Sequence, residues 1–254
     1  MRIRVLGASG GELCGHGSTS FLLDERVVLD AGALTSRLRL AELDRLDHVL
    51  LSHAHLDHVK DLPLLADLLA GRRRRPLVVH ASPGAVATLR SSLFNGRLWP
   101  DFTRIPSARR PLVRFASFRH GVPFRVGAFR VAPVRVSHAV ESTGFVVRRG
   151  TACFAISGDT GPTTAFWREA RRAQGLRALL VEVSFPGRMQ RIADRAGHLT
   201  PRTLPGELAK LERDDVPVYL YHLKPAFRAE LREEIGGLGL RGVKILEDGD
   251  EIET

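Results

Sequence analysis

Short apolar stretches, some alternating and some continuous, recur along this chain and are separated by turn residues. Ile3 to Leu6 is the first, and it ends in Gly7-Ala8-Ser9-Gly10-Gly11. No helix follows that glycine cluster, so it is not a dinucleotide fingerprint. Ser18 to Leu23 and Val27 to Gly32 predict two strands about the turn Asp24-Glu25-Arg26. A helix is expected from Leu34 to Leu46, and the apolar run His48-Val49-Leu50-Leu51 predicts a buried strand. Asp61 to Leu69 has helical spacing with a proline in its first turn. A strand over Leu77 to His80 and a helix from Pro83 to Phe94 come next, then the irregular stretch Asn95 to Pro111.

The pattern then turns to strands: Val113 to Phe118, Phe124 to Val126, Phe129 to Val136, Thr143 to Val147 and Ala152 to Ile156. Helices return at Thr163 to Gln174, Pro201 to Leu211 and Pro225 to Ile235. Strands at Ala178 to Val183, Val218 to Tyr221 and Val243 to Leu246 lie between and after them. Two strand-rich blocks, each with its own helices, predict an α/β (α+β) protein. Its layers would form a four-layer αββα sandwich, two facing sheets covered outside by helices.

The chain has 254 residues, which allows one domain over 1–254 with a sizeable core. No apolar run is long enough to span a bilayer. The N-terminus enters a strand at once without a signal-peptide pattern, so a cytoplasmic protein is expected. Cys14 and Cys153 suit a reducing compartment. The net charge of +10 implies affinity for anions, nucleic acid among them. The basic residues are nearly all arginine and spread along the chain. Their one run, Arg72 to Arg75, is more readily a solvated loop than a nucleic-acid patch. In the irregular stretch, Trp99 and Phe102 are candidates either for stacking on a base or for pinning the loop.

The densest chemistry is Ser52-His53-Ala54-His55-Leu56-Asp57-His58, between the buried strand and the helix from Asp61. His53 and His55, two apart in extended chain, point the same way. Asp57 and His58 follow the bend and address a second point nearby. One pair for one ion and one pair for a neighbour is the simplest arrangement. Imidazole and carboxylate without thiolate suit zinc, with manganese or iron as alternatives.

HAHLDH resembles the HxHxDH signature of the metallo-β-lactamase fold. Further ligand positions of that fold occur in order: His138 in VSH, Asp159 in SGDTG and His222 in YLYH. The resemblance implies two divalent ions. His53, His55 and His138 would hold one, Asp57, His58 and His222 the other, with Asp159 bridging them. It also implies a metal-bridging hydroxide as nucleophile. In that fold an aspartate at the position of Asp30 orients one metal histidine, although a plain strand-end aspartate fits equally well.

The stretches LGASGGELCGHGSTSFLLDERVVLDAG, SGDTGPT, GHLTP and YHLKP resemble class II cyclic-nucleotide phosphodiesterases over almost the whole chain. That implies hydrolysis of a 3′,5′-cyclic nucleotide or a related small phosphodiester. His198 would be the general acid and Lys224 would neutralise a phosphate oxygen. Asp57 would serve the catalytic centre as well as the metal. Glu182 either orients His198 or caps a helix. The runner-up is an RNase Z-type tRNA 3′-end nuclease, whose long basic arm is not visible here. A non-catalytic nucleic-acid scaffold ranks last, because all seven ligand positions are filled. Homodimer formation is left open. His16, His48, His80 and His120 are taken as structural.

Overall fold

A computed structural model describes residues 1–254. Two seven-stranded sheets dominate it. The first runs, edge to edge, through Glu251–Glu253, Arg2–Gly7, Ser20–Leu23, Val27–Leu29, His48–Leu50, Leu77–Ala81 and Val113–Ser117. The second runs through Val243–Ile245, Val218–Tyr221, Leu176–Glu182, Ala152–Ile156, Thr143–Arg149, Phe129–Arg135 and Phe124–Val126.

Side-chain parity along these strands builds three cores, one for each contact between four layers. Val27 and Leu29 join Phe145, Val147, Phe154 and Ile156 in the core between the sheets. Val28 and Val49, pointing the other way, pack under Leu62, Leu65, Ala66 and Leu69 of the helix Asp61–Leu69. Val146, Ala155, Leu179 and Val181 pack on the opposite side against Phe166 and Trp167 of the helix Ala165–Arg172. Burying both faces of each sheet explains why so many strands are continuously apolar. The expected αββα sandwich is what the chain forms.

Several boundaries differ from expectation. Leu34 to Leu46 is helical only over Leu40–Leu43. Its first part is a turn instead, with Leu34 N and Thr35 N donating to Asp61 Oδ2 at 2.7 and 2.8 Å. The helix from Pro83 is capped by Ser82 and continues past Thr88 as a π-turn over Leu89–Leu93. Some elements escaped the pattern, among them a helix and an edge strand. The helix Gln190–Ala196 is short and mostly polar, and the strand Glu251–Glu253 offers one buried residue, Ile252.

The irregular stretch contains a small hairpin, Pro106–Ser107 with Arg110–Pro111. Phe102 is buried in the core beneath the first sheet and Trp99 packs on that core, so these rings pin the loop. The arginine run is anchored as a loop: Arg72 pairs with Asp44, and Arg73 with Asp47.

Candidate metal centre

The predicted ligands sit where strands end. His53 follows His48–Leu50, His138 follows Phe129–Arg135, Asp159 follows Ala152–Ile156 and His222 follows Val218–Tyr221. Carboxyl ends of strands are where α/β folds gather ligands. Asp57 and His58 lie on the one-turn helix Leu56–Val59.

Three groupings of donor atoms result. His53, His55, His138 and Asp159 form one, and Asp57, His58 and His222 form the second. Asp159, His198 and His222 form a third, which overlaps both. His55 Nδ1 and His138 Nε2 are 3.1 Å apart, and His58 Nε2 and His222 Nε2 are 3.2 Å apart. Asp159 Oδ2 lies 3.3 Å from His58 Nε2 and 3.1 Å from His222 Nε2.

The remaining ring nitrogens are tied down. His138 Nδ1 lies 2.9 Å from the Gly197 carbonyl oxygen, so it carries the proton. His58 Nδ1 lies 2.8 Å from Asp30 Oδ2, and His222 Nδ1 2.8 Å from Ser184 Oγ. Such contacts leave the Nε2 lone pairs of His138, His58 and His222 facing inward. Lone pairs facing at this range repel unless a cation or proton stands between them. Two further buried atoms, His53 Nε2 and Asp159 Oδ1, have no hydrogen-bond partner at all. Orphaned nitrogen and oxygen donors aimed into one cluster fit divalent metal ions.

Electrostatics point the same way. Burial pushes the His53 imidazole well below its usual value, and burial also lowers His55 and His138, favouring the neutral, ligating form. Burial opposes charge on Asp159, yet the surrounding imidazoles outweigh it and hold the carboxyl well below the usual range. For His58 burial likewise opposes charge. With only protons available, Asp159 and Asp30 prevail and raise its pKa well above the usual value. A cation would take that proton's place.

Asp30 does more than end a strand. Its Oδ1 accepts the Ser52 backbone N–H at 2.8 Å while Oδ2 meets both Ser52 Oγ and His58 Nδ1. Beside the ligand cluster, His198 Nδ1 lies 2.7 Å from Glu182 Oε1, and the His198 ring stacks on His222 with centroids 5.4 Å apart. Glu182 therefore orients His198, and its Oε1 also accepts the Thr160 N–H. Lys224 Nζ is 3.8 Å from Asp57 Oδ2 at the rim.

Three residues at the site carry no role that the sequence alone assigns. Ser184 Oγ donates to Glu182 Oε2 and lies within hydrogen-bond distance of both His198 Nδ1 and His222 Nδ1. Its spacing of two from Glu182, on one face of extended chain, is the signal that marks it. Ser52 has a similar place behind His53 and His58. Gly10 packs flat on His222, where an added Cβ would lie 2.6 Å from its Nδ1. Of the four histidines set aside, His48 and His80 hydrogen-bond to each other, and His120 to Thr143.

Residues 25–217 match the β-lactamase superfamily domain. The chain belongs to that family. Its metallo-β-lactamase fold is shared with the Bacillus subtilis protein YhfI, whose crystal structure superposes with a TM-score of 0.79 at 19% identity. The match covers 99% of each chain. Among sequence relatives is a probable 3′,5′-cyclic-nucleotide phosphodiesterase of Yersinia pestis, 32% identical over 203 residues. That alignment takes in 70% of this chain but only 57% of the relative, so this family member spans little more than half of that protein. A 3′,5′-cyclic-nucleotide phosphodiesterase of Aliivibrio fischeri is 28% identical over 276 residues, covering 87% of this chain and 80% of the relative. No helix of the family member is long and apolar enough to cross a membrane.

Proposed function

We propose that this protein is a metal-dependent phosphodiesterase that opens 3′,5′-cyclic nucleotides or a related small phosphodiester. The observation that carries the reading is the convergence of seven nitrogen and oxygen donors, two of them buried and unpartnered, on one rim. The names of the two relatives supply the substrate class. In this reading residues 1–254 act as one domain, in the cytoplasm, where the unbridged Cys14 and Cys153 are at home.

His53, His55, His138 and Asp159 would hold one ion, and Asp57, His58 and His222, with Asp159 shared, a second. Zinc suits the donor set, with manganese and iron as alternatives. Divalent ions bound there lower the pKa of water and draw charge from phosphoryl oxygens. The chain's own residues do the rest. Ser184, Asp30 and the Gly197 carbonyl hold three imidazoles in the ligating tautomer. Glu182 outweighs the effect of burial on His198 and raises its pKa, so the ring stays protonated to higher pH. With Nδ1 committed to Glu182, His198 Nε2 is free to hand its proton to the departing 3′-oxygen. Lys224, beside Asp57, would meet a phosphate oxygen at the mouth of the site.

The test is a substrate panel with the metal-loaded protein: cyclic AMP, cyclic GMP, bis(p-nitrophenyl) phosphate and a precursor tRNA. Turnover of a cyclic nucleotide is expected. Cleavage of the tRNA alone would overturn the reading.

A further inference from the structure

The chain's positive charge looks dispersed along the sequence, but the fold segregates it. Between Ser82 and Val140 stand ten arginines, no lysine and a single acid, Asp101, which is nearly the whole net charge of +10. All ten arginines are exposed, and none has a carboxylate within ion-pair distance. Asp101 is engaged locally, accepting hydrogen bonds from Thr103. Elsewhere arginines are widely neutralised, as in Arg2 with Glu251, Arg72 with Asp44 and Arg188 with Glu230.

Topology brings this stretch to one end of the sandwich. Val113–Ser117 is the last strand of the first sheet and Phe124–Val126 the last strand of the second. The link between them is short, and Phe118 stacks on Phe124 with centroids 5.1 Å apart, so the two edges adjoin. Arg114 rides on one edge and Arg125 on the other. Arg109 and Arg110 sit on the nearby hairpin. Register adds a second observation. Arg125 lies directly opposite Arg130, and Arg130 directly opposite Arg148. Like charges facing across adjacent strands destabilise a sheet. Three unpaired guanidiniums in a row make sense on a surface that is covered by a polyanion.

We propose that this end of the sandwich is a docking surface for a nucleic-acid backbone. Guanidinium forks match phosphate oxygens bidentately, and a chain of phosphates answers a chain of arginines. None of the exposed large apolar side chains of the stretch, Leu98, Ile105, Val122 and Val140, lies on a helix, so no amphipathic helix of the kind that enters a bilayer is presented. Phe102 is buried and Phe115 lies under Arg90, which leaves phosphates, not bases, as the recognised feature. Both ends of the arginine stretch return to the metal centre. Ser82 Oγ and Gly84 N each donate to Glu141 Oε2 at 2.9 Å, beside the hollow lined by His55. The proposal rests on surface charge and register and does not require the hydrolytic reading.

The test is fluorescence anisotropy of short labelled single-stranded RNA and DNA with the metal-loaded protein over a salt series. Gels afterwards check that the oligonucleotide is intact. Affinity should fall linearly with salt on logarithmic axes. The double variants Arg109→Glu/Arg110→Glu and Arg125→Glu/Arg130→Glu should each weaken binding at least about ten-fold. Each should also flatten the salt slope by about 0.7–0.9 for every phosphate the variant no longer neutralises. Their melting temperatures and metal contents should match the parent, and Arg241→Glu, exposed elsewhere, should bind like the parent. A preference for RNA or DNA would name the source of the backbone. Absence of binding at low salt, or undiminished binding by both double variants, would overturn the proposal. Capture by phosphatidylserine vesicles without oligonucleotide binding would also overturn it, in favour of a membrane.

Discussion

His198 and Glu182, sixteen residues apart in sequence, meet through a buried 2.7 Å contact between Nδ1 and Oε1. The carboxylate fixes which nitrogen carries the structural proton and leaves Nε2 uncommitted. Replacing His198 by Ala should lower turnover of the phosphodiester by about 10²–10⁴-fold. Metal content, measured by elemental analysis, should stay at the parent level. Loss of an ion in that variant would make His198 a ligand instead.

Metal stoichiometry follows from Asp159. Asp159 Oδ2 lies 3.6 Å from His53 Nε2 of one donor set and 3.3 and 3.1 Å from His58 and His222 Nε2 of the other, which puts this carboxylate between them. Purified protein should contain close to two equivalents of divalent metal, and Asp159→Ala should fall to one or fewer. A parent protein with a single equivalent would remove the bridging role.

Asp30 and His58 make a second test of orientation. Asp30→Asn keeps the shape but weakens the grip on the His58 ring, and metal affinity should drop about 10–100-fold. Competition against a chelator measures this without any substrate. An unchanged affinity would reduce Asp30 to a strand-end residue.

Gly10 predicts an effect from a residue that has no side chain of its own. A methyl group there would meet the His222 ring at 2.6–2.7 Å. Gly10→Ala should therefore displace His222, lower metal content and abolish turnover, with the rest of the fold intact by circular dichroism. Full metal loading in that variant would show that the loop can retreat.

The His48–His80 pair gives a pH dependence away from the donor cluster. Burial lowers the His80 pKa to about 4 from its ordinary value near 6.5. The unfolded chain then binds the proton first, so stability is full above about 6.5 and declines as pH falls toward 4. The loss reaches at most about 3 kcal/mol for this group. His80→Gln should flatten that segment of the melting-temperature curve, recorded for both proteins in excess chelator. Identical curves would remove His80 as the cause.

Most of the candidate site was legible because it is local or periodic. Four ligand-type residues lie within six positions at His53 to His58, and the other candidate donors follow strands whose apolar runs are plain. What stayed hidden depends on contacts between distant segments. Ser184 matters only once Val218–Tyr221 delivers His222 beside it. The helix Gln190–Ala196 carries one fully buried residue, Ala193, too little for an apolar stripe. The strand Glu251–Glu253 exists because Arg2–Arg4 offers it an edge. The arginines looked scattered because sequence spacing says nothing about which two sheet edges adjoin.

Two side chains of the centre sit on backbone that resists them. Asp30 and His222 adopt φ values of 57° and 68°, a left-handed conformation in which a Cβ crowds its neighbours. Each such residue costs about 1–2 kcal/mol relative to relaxed backbone. The strain is carried because His222 is fully buried, stacked on His58 and His198 and held by Ser184; glycine there would relieve the backbone but leave a cavity costing about 2–5 kcal/mol, more than the strain it removes. The left-handed turns at these two corners are thus held in place by the packing and hydrogen bonds of the side chains they carry, so local backbone and donor cluster stand or fall together.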